Sequence, residues 1–241
     1  IRYYFALDVD LPEILSSIDR DPVIHYAVSS CSGLRIIRQP PWECLASFIC
    51  ATYSNIPGIR KRVHLLCQNL GAPLSPEYPG LFSFPSPTAI AGAETCMLTG
   101  CRLGYRAGYL RETARVLAAD TEWEERIDAL PFPKARAELL RLKGVGKKVA
   151  DCVLLFAFGK WESFPVDVWI ERIMTRCYPE CRDLRTYDKI SDFGRAYFGK
   201  YAGYAQEYLY CCRTVLAGRV DAGKGRGGGS NLYVPDSQPE R

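Results

Sequence analysis

The sequence predicts a mainly α-helical fold built from many short helices, and three observations support this prediction. Apolar residues recur at three- and four-residue spacing along most of the chain. Gly and Pro interrupt these periodic segments at short intervals, as they do at helix ends. Only one segment alternates in polarity as a strand does. Such a pattern is typical of a multi-helix globule with short connections.

The N-terminal segment is the exception to the helical pattern. Residues 3–9 alternate in polarity and are predicted to form a strand. Residues 11–13 read LPE and begin a helix, because Pro is tolerated in a first helical turn. Residues 39–41 read QPP and end the helical region that precedes them.

The rest of the chain is predicted to be helical, except for a Pro-rich stretch at 73–87 and the C-terminal residues. The helices are expected at 42–52, 60–70, 89–99, 105–118, 123–130, 134–142, 148–158, 167–176, 191–198 and 204–216. Residues 223–241 are rich in Gly, Ser and Pro without periodicity, which predicts a flexible tail. The helical domain is therefore assigned to residues 11–222.

Composition limits the classes of partner. Hydrophobic residues make up 48% and charged residues 24%, as in ordinary globular proteins, and the net charge is +4. This charge is compatible with a polyanionic partner bound through a local basic patch. The chain contains no apolar run of membrane-spanning length and no secretory segment, so we expect no membrane partner. We expect a monomer inside the cell, in a bacterial cytoplasm or nucleoid or in a eukaryotic nucleus.

The 11 cysteines are predicted to be reduced, buried thiols, because several lie in apolar stretches and the chain shows no secretion signal. Two pairs are close in sequence: Cys177 with Cys181, and Cys211 with Cys212. Neither pair belongs to a closed four-ligand set, so no metal site is expected.

Residues 141–150 read RLKGVGKKVA and predict a helix–hairpin–helix. One helix ends at Leu142, the glycines of 144–146 form the turn, and a second helix begins at once. Glycine lets a backbone approach a ligand closely, and the free N–H groups and dipole of the second helix suit a phosphate. Such a hairpin holds a DNA backbone without reading sequence. An ordinary αα-hairpin with a glycine cap is the alternative.

A carboxylate and a lysine are expected to meet near this hairpin. Asp167 follows Pro165 at a predicted helix N-cap, and it lies 19 residues after Lys148. One helix, a turn and a return fill that interval, so both side chains could reach one cleft. A lysine at the apolar start of a helix is desolvated, which favours the neutral amine. Lys147 points about 100° away from Lys148 around the helix and is left for phosphate.

This residue pair suits a reaction at a sugar carbon. A neutral lysine can attack C1′ of a nucleoside, displace the base and form a Schiff base. A neighbouring carboxylate can stabilise positive charge on the sugar.

The motif GVGKKVADC followed by FPVDV resembles the helix–hairpin–helix DNA glycosylases with a Gly/Pro–Asp motif (HhH-GPD), and among them the 8-oxoguanine DNA glycosylase/lyases. The resemblance runs from about residue 4 to residue 216. It includes LRIIRQPPWECLASFICATYSNI, LGYRAGYL and YAGYAQEYLY. It implies the HhH-GPD fold, with residues 1–10 as the last strand of an N-terminal β-domain that is mostly absent here.

The resemblance also implies a function and a set of site residues. The function is base-excision repair: an N-glycosylase with AP-lyase activity that removes 8-oxoguanine from double-stranded DNA through a lysine Schiff base and β-elimination. The catalytic positions fall on Lys148 and Asp167. The base-binding positions are Cys152, Phe156, Gln206 and Tyr210, with the base held between Cys152 and Tyr210 and its Watson–Crick edge contacted by Gln206. The DNA-binding positions are Gly144, Val145, Gly146, Lys147, Tyr53, Asn55, Tyr105 and Arg106.

The resemblance also implies where some of these residues lie on the DNA. The resemblance places Tyr105 and Arg106 as wedges beside the estranged base opposite the lesion. Tyr53 stands where the family has a void-filling Asn, and Gly58 stands where the family has an Arg that holds cytosine.

The sequence departs from the family at two further positions, and it leaves alternatives open. Trp169 replaces a His of the family, and Arg213 replaces an Asp. The four-cysteine spacing of an iron–sulfur cluster is missing, so no cofactor is expected apart from a monovalent cation that the hairpin could hold. One alternative is the same fold acting on another oxidised base, although the predicted pocket residues argue against it. The other is a non-catalytic DNA-binding protein, which would not need Lys148 and Asp167 together.

Overall fold

The computed structural model describes residues 1–218, which fold into helices joined by turns and longer loops. Fourteen α-helices are found in this part of the chain. They are α1 (Leu11–Ile18), α2 (Pro22–Ser30), α3 (Pro41–Ala51), α4 (Ile56–Leu70), α5 (Pro87–Gly92), α6 (Thr95–Gly100), α7 (Arg106–Ala118), α8 (Trp123–Ala129), α9 (Phe132–Leu140), α10 (Lys147–Phe156), α11 (Val168–Cys177), α12 (Tyr187–Phe198), α13 (Ala202–Cys211) and α14 (Arg213–Leu216). None of the helices within residues 1–218 combines the length and the apolarity that crossing a membrane requires. The mainly helical fold class is confirmed; the predicted tail at 223–241 and the domain boundary at 222 lie outside the described residues.

The predicted N-terminal strand is wrong. Residues 3–9 form consecutive turns, in which Ala6 N donates to Tyr3 O at 3.0 Å and Val9 N donates to Ala6 O at 3.3 Å. Arg35 also donates to the carbonyl of Val9 at 3.0 Å. A strand needs a neighbour for its backbone groups, and these turn and side-chain hydrogen bonds satisfy several of them instead. Within residues 1–218 the single β-bridge joins Pro73 to Phe82.

Most helix boundaries follow from Pro and from capping side chains. The region before residue 39 contains two helices, each with Pro in its first turn and an aspartate as N-cap. Asp10 accepts a hydrogen bond from Glu13 N at 3.1 Å, and Asp21 accepts from Val23 N at 2.7 Å. The helix predicted at 89–99 is broken into α5 and α6, and the one predicted at 204–216 is broken into α13 and α14.

Two apolar cores lie on either side of α10. One packs α1 and α2 against α11 to α14, and the other packs α3 to α9 together. Helix α10 contributes Leu155 to the first core and Val153 and Leu154 to the second, and all three are buried. Phe156, at the end of α10, contacts both cores. Because burial of apolar area is the main stabilising contribution, α10 is fixed along the seam between the cores.

A buried polar network holds α10 in place from its other side. The Asp151 carboxylate is fully buried and accepts from Arg136 Nε of α9 at 2.6 Å and from Tyr187 Oη of α12 at 2.6 Å. Burial raises the pKa of Asp151, and the hydrogen bonds from Arg136 and Tyr187 oppose that shift. Loss of one partner of a buried ion pair is strongly destabilising. The network therefore fixes the helix that carries Lys148.

The prediction that the thiols are reduced is wrong for one pair of cysteines. Cys31, just after α2, forms a disulfide with Cys211 at the end of α13. The two residues are 180 positions apart in sequence, so their proximity depends on the packing of α2 against α13 and is not visible in local sequence. The other nine cysteines are free. In residues 1–218 we find no group of three or more His, Cys, Asp or Glu side chains arranged to hold a metal.

Candidate active site and DNA interface

A cleft of about 190 Å³ opens where the two cores meet. It is lined by Phe48, Lys148, Cys152, Phe156, Pro165, Asp167, Gln206, Glu207 and Tyr210. The structure thus brings all six predicted catalytic and base-binding residues into one cleft, from helices α10, α11 and α13. A wider surface groove of about 850 Å³ beside α4 contains neither predicted catalytic residue.

Lys148 enters this cleft from the first turn of α10. Its side chain is half-buried, and Nζ lies 4.7 Å from the centroid of the Phe48 ring. Phe48 in turn stacks on Phe156 with centroids 5.8 Å apart, so the cleft has an aromatic wall. Lys147 points elsewhere and forms an ion pair with Asp188 of α12. The adjacent lysines therefore have different surroundings, although Lys147 has a carboxylate partner that the sequence did not predict.

Asp167 reaches the cleft as the N-cap of α11. Its Oδ1 accepts hydrogen bonds from Trp169 N at 2.9 Å and from Ile170 N at 2.8 Å. The preceding Pro165 is buried and also lines the cleft. Both capping bonds go to one carboxylate oxygen, so the cap and a contact from the second oxygen are compatible.

Cys152 and Tyr210 line the cleft from α10 and α13. Cys152 is buried, and burial raises the pKa of its thiol to about 12, although the nearby Lys148 opposes the shift. A neutral thiol is a weak nucleophile, so Cys152 suits a packing role. Tyr210 is half-buried, and the guanidinium carbon of Arg213 lies over its ring, 4.4 Å from the centroid. Arg213, one of the unexpected residues, thus holds the Tyr210 ring.

The side-chain oxygen of Gln206 is a polar atom of the cleft without a partner among residues 1–218. The residue is 5% exposed, and this Oε1 atom is buried. An unpaired buried acceptor costs about 1–3 kcal/mol, and such groups are uncommon in native structures. A ligand that offers an N–H donor would satisfy Oε1.

Glu207 lines the cleft as well, and the sequence analysis did not identify it. It lies one residue after Gln206 on α13 and is partly buried. Burial raises the pKa of Glu207 to about 7, and the negative charge of Asp167 adds to the shift. The available signal was a charged residue in the apolar segment YAGYAQEYLY, because a buried carboxylate needs a reason to be there.

The hairpin before α10 has the predicted glycine turn, although α9 ends at Leu140 and not at Leu142. Gly144 has φ 78°, and a Cβ there would lie 2.7 Å from the Cβ of Tyr109, so this position requires glycine. Val145 is buried and anchors the turn. Gly146 is the N-cap of α10 and has no side chain to bond the N–H groups of the first turn, which start at Lys147. These N–H groups and the helix dipole are suited to a DNA phosphate.

The loop between α3 and α4 presents an exposed aromatic ring. Tyr53 is 98% exposed and has φ 49°, a left-handed conformation that is costly for a residue with a side chain. Asn55 caps α4 by accepting a hydrogen bond from Gly58 N at 2.9 Å. Asn55 thus has a structural task in addition to the predicted DNA contact.

The structure buries Arg106, which the resemblance places as a wedge beside the estranged base. It is 7% exposed, its Nε donates to Thr52 O at 2.9 Å, and its Nη2 donates to Tyr53 O at 3.2 Å. An arginine whose guanidinium is bound to backbone carbonyls cannot wedge into DNA without releasing the loop. The neighbouring Tyr105 is 54% exposed, and the Arg106 guanidinium lies 4.5 Å from its ring centroid. Arg106 therefore supports two exposed tyrosines, Tyr53 and Tyr105, from behind.

Known proteins are similar to this chain both in sequence and in the arrangement of their helices. The model of the 8-oxoguanine DNA glycosylase N-terminal domain matches residues 1–45. A probable N-glycosylase/DNA lyase from Methanothermobacter thermautotrophicus is 34% identical, over 93% of this chain and 78% of its own. The chain belongs to the 8-oxoguanine DNA glycosylase/lyase family. The N-glycosylase/DNA lyase of Saccharomyces cerevisiae is 32% identical over 86% of this chain, which spans 64% of the yeast protein.

Solved structures of the family have the same fold. The 8-oxoguanine glycosylase/lyase of Clostridium acetobutylicum has a TM-score of 0.81 and 35% identity, covering 88% of this chain and 73% of its own. Its structure was determined with double-stranded DNA that contains cytosine opposite 8-oxoguanine.

The two departures from the family pattern have packing partners in this structure. Trp169 lies beside Arg172, whose guanidinium is 5.5 Å from the Trp169 ring centroid. Arg213 donates from Nη1 to the carbonyl oxygen of Tyr210 at 3.0 Å. The Asp and His of the family pattern are therefore replaced by two residues that each stack with a cationic or aromatic neighbour.

Proposed function

We propose that this 8-oxoguanine DNA glycosylase family member removes 8-oxoguanine from duplex DNA and then nicks the strand at the resulting sugar. The observation that carries the proposal is the cleft itself. It joins an amine (Lys148), a capped carboxylate (Asp167) and an unpaired buried amide oxygen (Gln206), directly after a hairpin suited to phosphate. Such a cleft can take a base that has been flipped out of the duplex.

The base enters the space between the Cys152 and Tyr210 side chains. Gln206 Oε1 then accepts a hydrogen bond from an N–H group on the Watson–Crick edge of the purine, and so gains its missing partner. The exposed rings of Tyr53 and Tyr105 stack into the duplex near the vacated position, because aromatic rings tolerate any neighbouring base.

The chemistry uses Lys148 as nucleophile. Its neutral amine forms a bond to C1′ as the bond from C1′ to the base breaks, and the base leaves with the electron pair and takes up a proton. The Asp167 carboxylate stabilises the positive charge that develops on the sugar. Ring opening gives a Schiff base between Lys148 and C1′. Loss of a proton from C2′ then expels the 3′ phosphate and nicks the strand.

The remaining features of the proposal concern partners and location. The substrate is double-stranded DNA containing an oxidised purine, and the enzyme acts as a monomer wherever chromosomal DNA lies, in a nucleoid or a nucleus. The reaction as written needs no cofactor, since every participating group belongs to the chain or to DNA. Binding of a monovalent cation by the hairpin stays a prediction.

Nicking of a duplex with a single 8-oxoguanine tests the proposal. We expect strand cleavage at the lesion and none on the matched duplex with guanine. An enzyme for another oxidised base would nick a duplex with an oxidised pyrimidine faster. A non-catalytic DNA-binding protein would bind the duplexes and give neither nicks nor a borohydride-trapped complex.

Gln206→Ala is expected to separate base reading from strand cleavage. The substitution removes the acceptor for the base edge, so base excision from an 8-oxoguanine duplex should slow by about 10- to 100-fold. Cleavage at a preformed abasic site should change little, because no base has to be read there. Single-turnover assays on the two duplexes give both rates. Equal losses on both substrates would mean that Gln206 supports the fold or general binding.

The base opposite the lesion is expected to matter little. Gly58 offers no side chain to cytosine, and a Cβ there would lie 2.9 Å from Ser54 Oγ. Arg62 lies nearby, but its Nη1 donates to Ser54 Oγ at 2.6 Å and to Cys50 O at 3.3 Å. Arg106 is likewise bound to backbone carbonyls. Gly58, Arg62 and Arg106 therefore leave no side chain free for a bidentate contact to cytosine, which would discriminate by about 1–3 kcal/mol.

Single-turnover nicking of four duplexes that differ only in the opposite base measures this effect. We expect a preference for cytosine of about tenfold or less, since stacking by Tyr53 does not distinguish bases. A preference above about a hundredfold, at the upper end of what one lost contact can explain, would contradict this prediction and direct attention to the exposed Arg60.

A further inference from the structure

We infer that Glu207 accepts the proton that the Lys148 ammonium must lose before it can attack, which makes Glu207 a further catalytic residue of the proposed glycosylase/lyase. The inference rests on the proposed function, because it assigns a step within that reaction. Glu207 is not among the site residues that the family resemblance implies, and it lies outside the helix–hairpin–helix.

The first support for the inference is the position of Glu207. It shares the lining of one narrow cleft with Lys148 and Asp167, each from a different helix. It is partly buried on α13, directly after Gln206, where a merely structural residue would be apolar like its neighbours Tyr208 and Leu209. A carboxyl group at this depth has an electrostatic cost, and enzymes retain such groups where they transfer protons.

The two carboxyl groups of the cleft are held differently. Asp167 is bound through Oδ1 to two backbone N–H groups of α11 and is suited to remain near the sugar as a fixed charge. No backbone N–H group of residues 1–218 holds Glu207 in this way. Burial and the charge of Asp167 raise its pKa to about 7, while Lys148 and a hydrogen bond from Gln206 act in the opposite direction. A pKa near the working pH is what a group that both takes and returns a proton needs.

The charged and titratable groups around Glu207 come from four elements. They are Lys148 and Cys152 on α10, Asp167 at the start of α11, Tyr210 on α13 and Arg213 on α14. Lys148 is the only ammonium among them, and it is the group that the reaction requires as a free amine.

The step is a balanced proton transfer. The Glu207 carboxylate takes one proton from the Lys148 ammonium, which leaves a carboxylic acid and a neutral amine with a free electron pair. That pair forms the bond from Nζ to C1′ as the bond from C1′ to the base breaks. The carboxylic acid then returns its proton to the departing base, so that Glu207 is a carboxylate again and the base leaves neutral.

Glu207→Gln tests this role, because Gln keeps the size and the polarity of the side chain but cannot accept a proton from an ammonium. Single-turnover rates are measured between pH 6 and pH 9 on an 8-oxoguanine duplex and on a duplex with a preformed abasic site. Both substrates need the free amine of Lys148, whereas only the first needs a base to be read. Glu171→Gln is the matched control, since Glu171 is an exposed carboxyl group in the first turn of α11.

The wild-type rate is expected to fall as the pH falls through about 7, because the acid form of Glu207 cannot take a proton. Glu207→Gln should lower the rate at pH 8 by about a hundredfold on both substrates and remove the midpoint near pH 7. Glu207→Asp should keep the midpoint at a reduced rate. Glu171→Gln should match the wild type. Thermal unfolding and duplex binding establish that each variant is folded.

Three results would overturn the assignment. A Glu207→Gln enzyme with the wild-type rate and pH profile would show that the carboxyl group takes no part. A loss confined to the 8-oxoguanine duplex would show that Glu207 reads the base. A midpoint that persists in Glu207→Gln would belong to another group. Failure of the wild-type enzyme to nick either duplex would instead contradict the proposed function, so the two failures are distinguishable.

Discussion

Replacing Lys148 with Gln is expected to abolish the covalent complex that borohydride traps between the enzyme and a duplex containing 8-oxoguanine, while the duplex should still be bound. The expected loss of strand nicking is more than about 10³-fold, because Gln has no amine to attack C1′. Lys147→Gln is the matched control one position earlier. It loses the ion pair with Asp188 and a positive charge near the hairpin, so it should weaken binding but still allow trapping at high enzyme concentration.

The contrast between the neighbouring lysines makes this prediction specific. Lys148 lies in the cleft against Phe48, whereas Lys147 is bound to a carboxylate outside it. Trapping by Lys148→Gln together with loss of trapping by Lys147→Gln would reverse the assignment.

Asp167→Asn is expected to slow base excision by about a hundredfold or more, which corresponds to roughly 3 kcal/mol of transition-state stabilisation. The reason is the loss of the negative charge beside the sugar. Asn can still accept the hydrogen bonds from Trp169 N and Ile170 N, so the cap is kept. The free energy of unfolding should therefore fall by less than about 1 kcal/mol, the typical cost of losing an N-cap. Single-turnover nicking and thermal unfolding measure the two effects separately.

Asp21→Asn provides a control with matched capping geometry. Asp21 caps α2 through Oδ1, which accepts from Val23 N at 2.7 Å and from Ile24 N at 3.1 Å, and it lies outside the cleft. This variant should excise the base at the wild-type rate. An Asp167→Asn enzyme that is folded and equally fast would reduce Asp167 to a helix cap.

Much of the fold and of the cleft follows from local sequence. Helical periodicity and Pro or Gly at the boundaries predict most helices, because these signals act within one or two turns. Lys148 lies at the start of α10, and Asp167 follows 19 residues later. Within this interval the chain forms α10 and then turns back toward the start of that helix, which brings the two side chains together.

The features that sequence could not predict depend on contacts between distant segments. Arg106 is buried because the carbonyls of Thr52 and Tyr53 lie over it, more than fifty residues away in sequence. The Cys31–Cys211 disulfide likewise requires α2 to pack on α13.

The local sequence pattern gave a wrong prediction for residues 3–9 and did not identify the role of Glu207. Residues 3–9 alternate in polarity, yet an alternating segment without a partner strand satisfies its backbone in turns. Glu207 is visible as a charge in an apolar segment, but only the fold shows that its neighbours are Lys148 and Asp167.

The central claim is that Lys148 attacks the sugar of an 8-oxoguanine nucleotide, and mapping the trapped adduct tests it most directly. The wild-type enzyme is incubated with a duplex carrying a single 8-oxoguanine in the presence of borohydride, the protein is digested, and the DNA-linked peptide is identified by mass spectrometry. We predict one adduct, on the Nζ atom of Lys148, and none with the duplex that carries guanine. An adduct on Lys147 or on any amine other than that of Lys148, or release of the base without any adduct, would contradict the account.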